Sequence, residues 1–102
     1  MEIVTDGSTL VLSGDFDARS TWEVRNALRE RLLGNELDVV VDLTEVTSID
    51  VTATRVLAYA SREASLSGNH VTLRGCGPAV RRMLHLSHLM RFVDVERAVA
   101  TA

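Results

Sequence analysis

The chain has 102 residues, 46% of them hydrophobic and 25% charged, with a formal net charge of −3 at pH 7. That length and balance suit one globular domain able to bury a single core. The acidic balance and the lack of any Lys/Arg run argue against a nucleic-acid surface, and no apolar stretch has the length of a bilayer span.

Met1 to Thr5 and Thr9 to Leu12 are β-prone runs separated by Asp6-Gly7-Ser8. Asp-Gly between such runs predicts a hairpin. Ser13-Gly14-Asp15 then reads as a turn. From Ala18 to Leu33 the spacing is helical, with Val24, Ala27, Leu28 and Leu32 on one side and Arg25, Arg29 and Glu30 elsewhere. Ser20 and Glu23 fit a capping box, and Asp17 offers another cap three residues earlier. Gly34-Asn35 suits the close of that helix.

The next stretch, Leu37 to Tyr59, organises the rest. Val39-Val40-Val41 within Leu37 to Leu43 predicts a buried strand. After a polar interval, Ala53, Val56, Leu57, Ala60 and Ala64 fall on one face of a helix. Asp50 stands just ahead of it, where a carboxylate can accept from the first free N–H groups. Ser67-Gly68-Asn69 ends this helix, and Val71 and Leu73 alternate within a strand from His70 to Arg74. Gly75-Cys76-Gly77-Pro78 is a turn, with Pro78 opening a third helix to about Leu86. Phe92 to Val95 reads as a short last strand and Glu96 to Ala100 as a weak helical tail.

Strands alternating with helices imply an α/β domain spanning 1–102. Its mixed sheet has four to five strands, parallel after the opening hairpin. Three main helices and a short C-terminal helix pack on it. Parallel sheets normally have both faces covered, and the sequence leaves open whether the tail or a partner covers the second.

Asp42-Leu43-Thr44-Glu45-Val46-Thr47-Ser48-Ile49-Asp50 resembles the corner of the STAS domain, specifically the stand-alone bacterial anti-sigma factor antagonists. In that family a strand ending Asp-Leu leads through a short loop to Ile/Met-Asp-Ser-Ser/Thr-Gly-Leu-Gly. Pro78-Ala79-Val80-Arg81-Arg82-Met83-Leu84 is similar to the family's Pro-Ala-Val-Arg/Lys-Arg helix, and Ser13-Gly14-Asp15-Phe16-Asp17 to its Gly-Glu/Asp-Leu/Phe-Asp segment. The matches run in order along nearly the whole chain.

The resemblance implies a bacterial switch made by binding, and the single cysteine with no signal-peptide or bilayer-span pattern leads us to expect it in the cytoplasm. Such a domain binds an anti-sigma factor, often a serine kinase, and so releases a sigma factor to act in transcription. Phosphorylation of the serine after the aspartate breaks that complex. Here Asp50 matches the aspartate, Val51 takes the phosphoacceptor position, Thr52 the next hydroxyl position, and Ala53 the glycine. Valine has no hydroxyl, so either Thr52 takes the phosphate or the domain is not switched that way. Thr52, Arg55, Tyr59 and Glu63 fall opposite the apolar stripe, and the family's loop adds Asp15 and Asp17 as contacts. The expected partner-binding residues are thus Asp15, Asp17, Asp50, Val51, Thr52, Arg55 and Tyr59. Constitutive binding is preferred over a switch at Thr52.

Plainer readings stand beside these. Asp50 serves as a helix cap alone, Thr52 as a solvated hydroxyl, and Val51 as core if the helix starts one residue later. Cys76, the only cysteine, suits a reducing compartment and reads as a small buried residue before a redox sensor. His85 and His88 read as a solvated pair before a zinc site, which usually takes three or four protein ligands. His88 stands where the family often has glycine, which leaves room for a different turn. Trp22 reads as core or helix flank. No nucleophile–base pairing or phosphate-cradling loop is present, so no enzyme, cofactor or metal is expected. The opening residues lack a signal-peptide pattern. Two other functions compete: a STAS scaffold or accessory subunit docking on a transporter ATPase or a stressosome-like assembly, and a binder of a nucleotide or lipid.

Overall fold

The computed structural model describes residues 1–33 and 38–96. Its elements are β1 (Glu2–Asp6), β2 (Thr9–Phe16), α1 (Thr21–Leu33), β3 (Asp38–Ile49), α2 (Val51–Leu66), β4 (His70–Arg74), α3 (Pro78–Leu86) and β5 (Asp94–Val95), with a 3-10 turn at Met90–Phe92. The five strands lie in sequence order in one sheet. Only β1 is antiparallel to its neighbour, and Asp6 pairs with Thr9 across a two-residue turn. The remaining pairs are parallel.

Each parallel connection steps one place in the same direction. Right-handed crossovers therefore set α1, α2 and α3 on one face of the sheet. Burial agrees: Leu10, Leu12 and Phe16 of β2, Val39, Val41, Leu43 and Ile49 of β3, and Val71 and Leu73 of β4 are buried. The intervening Val11, Val40 and Thr72 are only half-buried, and Val4 is 46% exposed. The described helices thus cover one side of the sheet, and most of the tail weighed as a cover for the other lies outside the described residues.

Several expectations need correction. Ser13-Gly14-Asp15 is no turn. It lies inside β2, where Gly14 takes φ +92° and the register with β3 shifts. Such a bulge bends a strand without ending it. Nor does β3 stop at Leu43. It runs on to Ile49, pairing Glu45, Val46 and Ser48 with Ser13, Gly14 and Asp15. The two register shifts each add one residue to β3, so their effects on side-chain parity cancel. Ile49 returns to the buried face of Val39, Val41 and Leu43.

The N-terminus of α1 also differs. The helix begins at Thr21, not Ala18, and Ser20 aims its hydroxyl at the Asp15 carbonyl (3.5 Å). The predicted capping box with Glu23 does not form. On α2 the apolar stripe is rotated: Thr54, Ala58 and Ser61 are buried with Ala53, Leu57 and Ala64, while Val56 and Ala60 are half-buried. Small residues there let the helix sit close to the sheet, and both hydroxyls are satisfied by helix carbonyls.

Gly68 ends α2 at φ +79°, as its type predicts. The last predicted strand is shorter, because Met90–Phe92 coils before β5. Gly34-Asn35, Leu37 and most of the tail helix lie outside the described residues. Glu96 continues from β5, donating its N–H to the Leu73 carbonyl (2.8 Å) and pairing with Arg74 (3.2 Å).

Candidate functional site

The corner is built where β2 and β3 end together. Asp50 follows Ile49 with extended backbone and caps α2: one carboxylate oxygen accepts from the Ala53 N–H at 2.8 Å. Its other oxygen accepts from the Ala18 N–H at 3.0 Å, and its own N–H donates to the Phe16 carbonyl at 3.2 Å. A single side chain therefore ties the segment after β2 to the first turn of α2. Both the cap and the cross-link fix the direction in which the helix tip points.

Val51 is the first residue of α2 and is 40% exposed, so the alternative that it belongs to the core is overturned. Thr52, Arg55, Tyr59 and Glu63 are all exposed and run at helical spacing down the same helix. Tyr59 is 54% exposed, with the Arg25 guanidinium 5.9 Å above its ring. The tip is thus a neutral apolar side chain at the head of a polar ridge.

Asp15 and Asp17 flank this tip. Asp15 accepts from the Ser48 hydroxyl (2.7 Å) and the Thr47 hydroxyl (3.0 Å), and these two bonds hold its carboxyl below the ordinary carboxylate range. Asp17 accepts from the Arg19 guanidinium (2.8 Å) and the Arg19 N–H (3.0 Å), with the same effect on its carboxyl. It turns the loop rather than capping α1. The structure gathers Asp15, Asp17, Asp50, Val51 and Thr52 at one end of the sheet. Arg55 and Tyr59 continue along α2, where they line a groove shared with α1.

Sequence reading missed four contributors: Thr47 and Ser48, which anchor Asp15, and Arg25 and Arg29, which face α2 across that groove. The first pair looked like loop because strand pairing with β2 leaves no apolar alternation. The arginines became relevant only once two helices were packed together.

The remaining singled-out residues have structural places. Cys76 is 8% exposed and burial pushes its thiol up, as suits an inert buried residue. Trp22, at 68% exposure, stands in the first turn of α1 and is not core. His88 adopts φ +60°, the left-handed position that glycine takes at the end of α2, so the turn keeps its form without glycine. Among the described residues no three His, Cys, Asp or Glu side chains gather as a metal cluster. No helix among them is long and apolar enough to cross a membrane.

A family model described as "Mlab, STAS domain" matches residues 2–94. Solved structures similar to the chain include a candidate anti-sigma factor antagonist of Thermotoga maritima, at 19% identity and a TM-score of 0.78, covering 97% of this chain and 87% of that one. An anti-sigma factor antagonist of Mycobacterium paratuberculosis gives 19% identity and 0.76, covering 96% and 85%. An RsbS variant of Moorella thermoacetica gives 25% identity and 0.73, covering 96% and 86%. With the matched region running from β1 into β5, the chain belongs to the STAS domain family.

Proposed function

We propose that this STAS domain is an anti-sigma factor antagonist, binding a serine-kinase-like anti-sigma factor through the tip of α2 and so releasing a sigma factor. The observation that carries the reading is Val51: an apolar side chain, 40% exposed, at the first position of a helix whose cap is cross-linked to the neighbouring loop. A rigid, partly apolar tip suits docking, because little ordering is left to oppose association. Similarity to anti-sigma factor antagonists over most of the chain supports the partner class.

Binding is constitutive on this reading, since Val51 has no hydroxyl to accept phosphate. A phosphate at Thr52 would add about −1.5 to −2 charges to an interface fitted to a neutral side chain at that position. The helix N-terminus itself tolerates an anion, so such a change would act on the complex and not on the fold.

Calorimetric titration with the anti-sigma factor tests the reading. Val51→Asp is expected to abolish binding while leaving the thermal midpoint within a few degrees of the wild type. Unchanged affinity refutes it, as does a partner recovered only as a transporter ATPase or stressosome-like assembly. Intact-mass analysis after incubation with that kinase and ATP tests the regulation. No added phosphate is expected, and any phosphate that persists in Thr52→Ala contradicts both constitutive binding and a Thr52 switch.

A further inference from the structure

Between α1 and α2 runs an open groove of about 780 Å³. Its floor is apolar, formed by Leu28, Leu32, Val56 and Ala60, and its rim carries Arg25, Arg29 and Arg55. None of these three guanidiniums has a described carboxylate within 4 Å. Arg25 and Arg29 lie four residues apart on α1, a like-charge spacing that costs helix stability. Glu63 is the groove's one described acid, so the lining is net cationic on a chain of net charge −3.

We infer that this groove docks an acidic amphipathic helix of the partner protein, its apolar stripe on the floor and its carboxylates between the three arginines. The inference rests on the proposed function only in taking a protein as the occupant. It adds the chemistry of the segment and a second contact beyond the tip. Length fits: the groove follows α2 from Thr52 to Ser67, about 22 Å at 1.5 Å per residue, which matches about 15 residues of helix. Helix-in-groove recognition needs an apolar trough with charged flanks, and both are present. A second copy of this chain fits poorly, because a two-fold contact would set this cationic rim against itself.

The probe is an end-capped 15-residue peptide of Ala, Leu and Glu, with leucines at i, i+3, i+4 and i+7 and glutamates on both flanks. Its twin carries Lys for every Glu. Backbone amide NMR titration of the whole chain is expected to show the acidic peptide perturbing α1 and α2. It should bind at least about tenfold tighter than the twin, an advantage that shrinks with added salt. Arg25→Glu/Arg29→Glu is expected to reverse the preference, with Arg25→Gln/Arg29→Gln as the milder variant should the first fold poorly. Equal binding of both peptides, perturbations on the open sheet face, or groove shifts with sodium decanoate but neither peptide would each overturn the inference. Val51→Asp separates the two claims. It should lose the anti-sigma factor yet keep the peptide, so failure at the tip and failure in the groove read differently.

Discussion

At the scale of single residues, two of the chain's departures from its family's habits, Val51 and His88, have different consequences. Val51 removes a hydroxyl from an exposed helix tip and leaves the backbone untouched. His88 replaces a customary glycine and does load the backbone. Its φ of +60° holds it left-handed, while Leu89 and His88 donate to the Leu84 and His85 carbonyls to close α3. That conformation costs a non-glycine residue about 1–2 kcal/mol, partly offset by the greater freedom glycine would have when unfolded. His88→Gly is therefore expected to raise stability by about 0.5–1 kcal/mol in urea denaturation. A loss of stability would mean that the imidazole makes a contact outweighing the strain.

Single residues also mark how far the sequence could be read. Asp50 as a cap was legible because its role depends on three residues of local chain. Its second bond, to Ala18, was not, since that contact joins segments 32 residues apart. The same limit hid Thr47 and Ser48. Their hydroxyls gain meaning only when β2 brings Asp15 alongside.

At the scale of elements, the β2–β3 end is held by polar contacts that depend on charge. Asp15 and Asp17 each have a folded carboxyl pKa below its unfolded value, through bonds from Ser48 and Thr47 and from Arg19. A depressed pKa contributes stability above the unfolded value and loses it as pH falls through the folded one. The corner is therefore expected to loosen below about pH 4, with faster hydrogen exchange at Arg19, whose N–H Asp17 accepts, before the sheet core responds. Asp15→Asn should weaken that dependence. An exchange rate at the Arg19 amide that follows the core at every pH would contradict the account.

Element boundaries were the least legible feature, for a physical reason. Thr44 to Ser48 is polar except for Val46, and the two register shifts break the alternation of β3, so no hydrophobic pattern betrays the strand. Gly14 gave a turn signal, but it lies inside β2, opposite the register shifts that bulge β3. By contrast, α3 matched its predicted limits, because proline at its first position and an apolar stripe of Val80 and Leu84 both act locally.

At the scale of the whole molecule, sequential strand order places the three helices on one side and brings the ends of β2 and β3 beside the start of α2. The proposed docking tip is therefore a product of topology: a loop, a strand end and a helix N-terminus are distant in sequence and adjacent in space. The strand–helix alternation was legible from hydrophobic spacing, and it carried the architecture. Which sheet face the helices cover was not, because that depends on crossover direction.

Hydrogen exchange of the full chain, free and mixed with the anti-sigma factor proposed as its partner, tests the docking claim most directly. The account predicts added protection at 15–19 and along 50–59, with the amides of β1 unchanged. Protection confined to β1 and the open sheet face, with the tip of α2 exchanging as in the free chain, would contradict it.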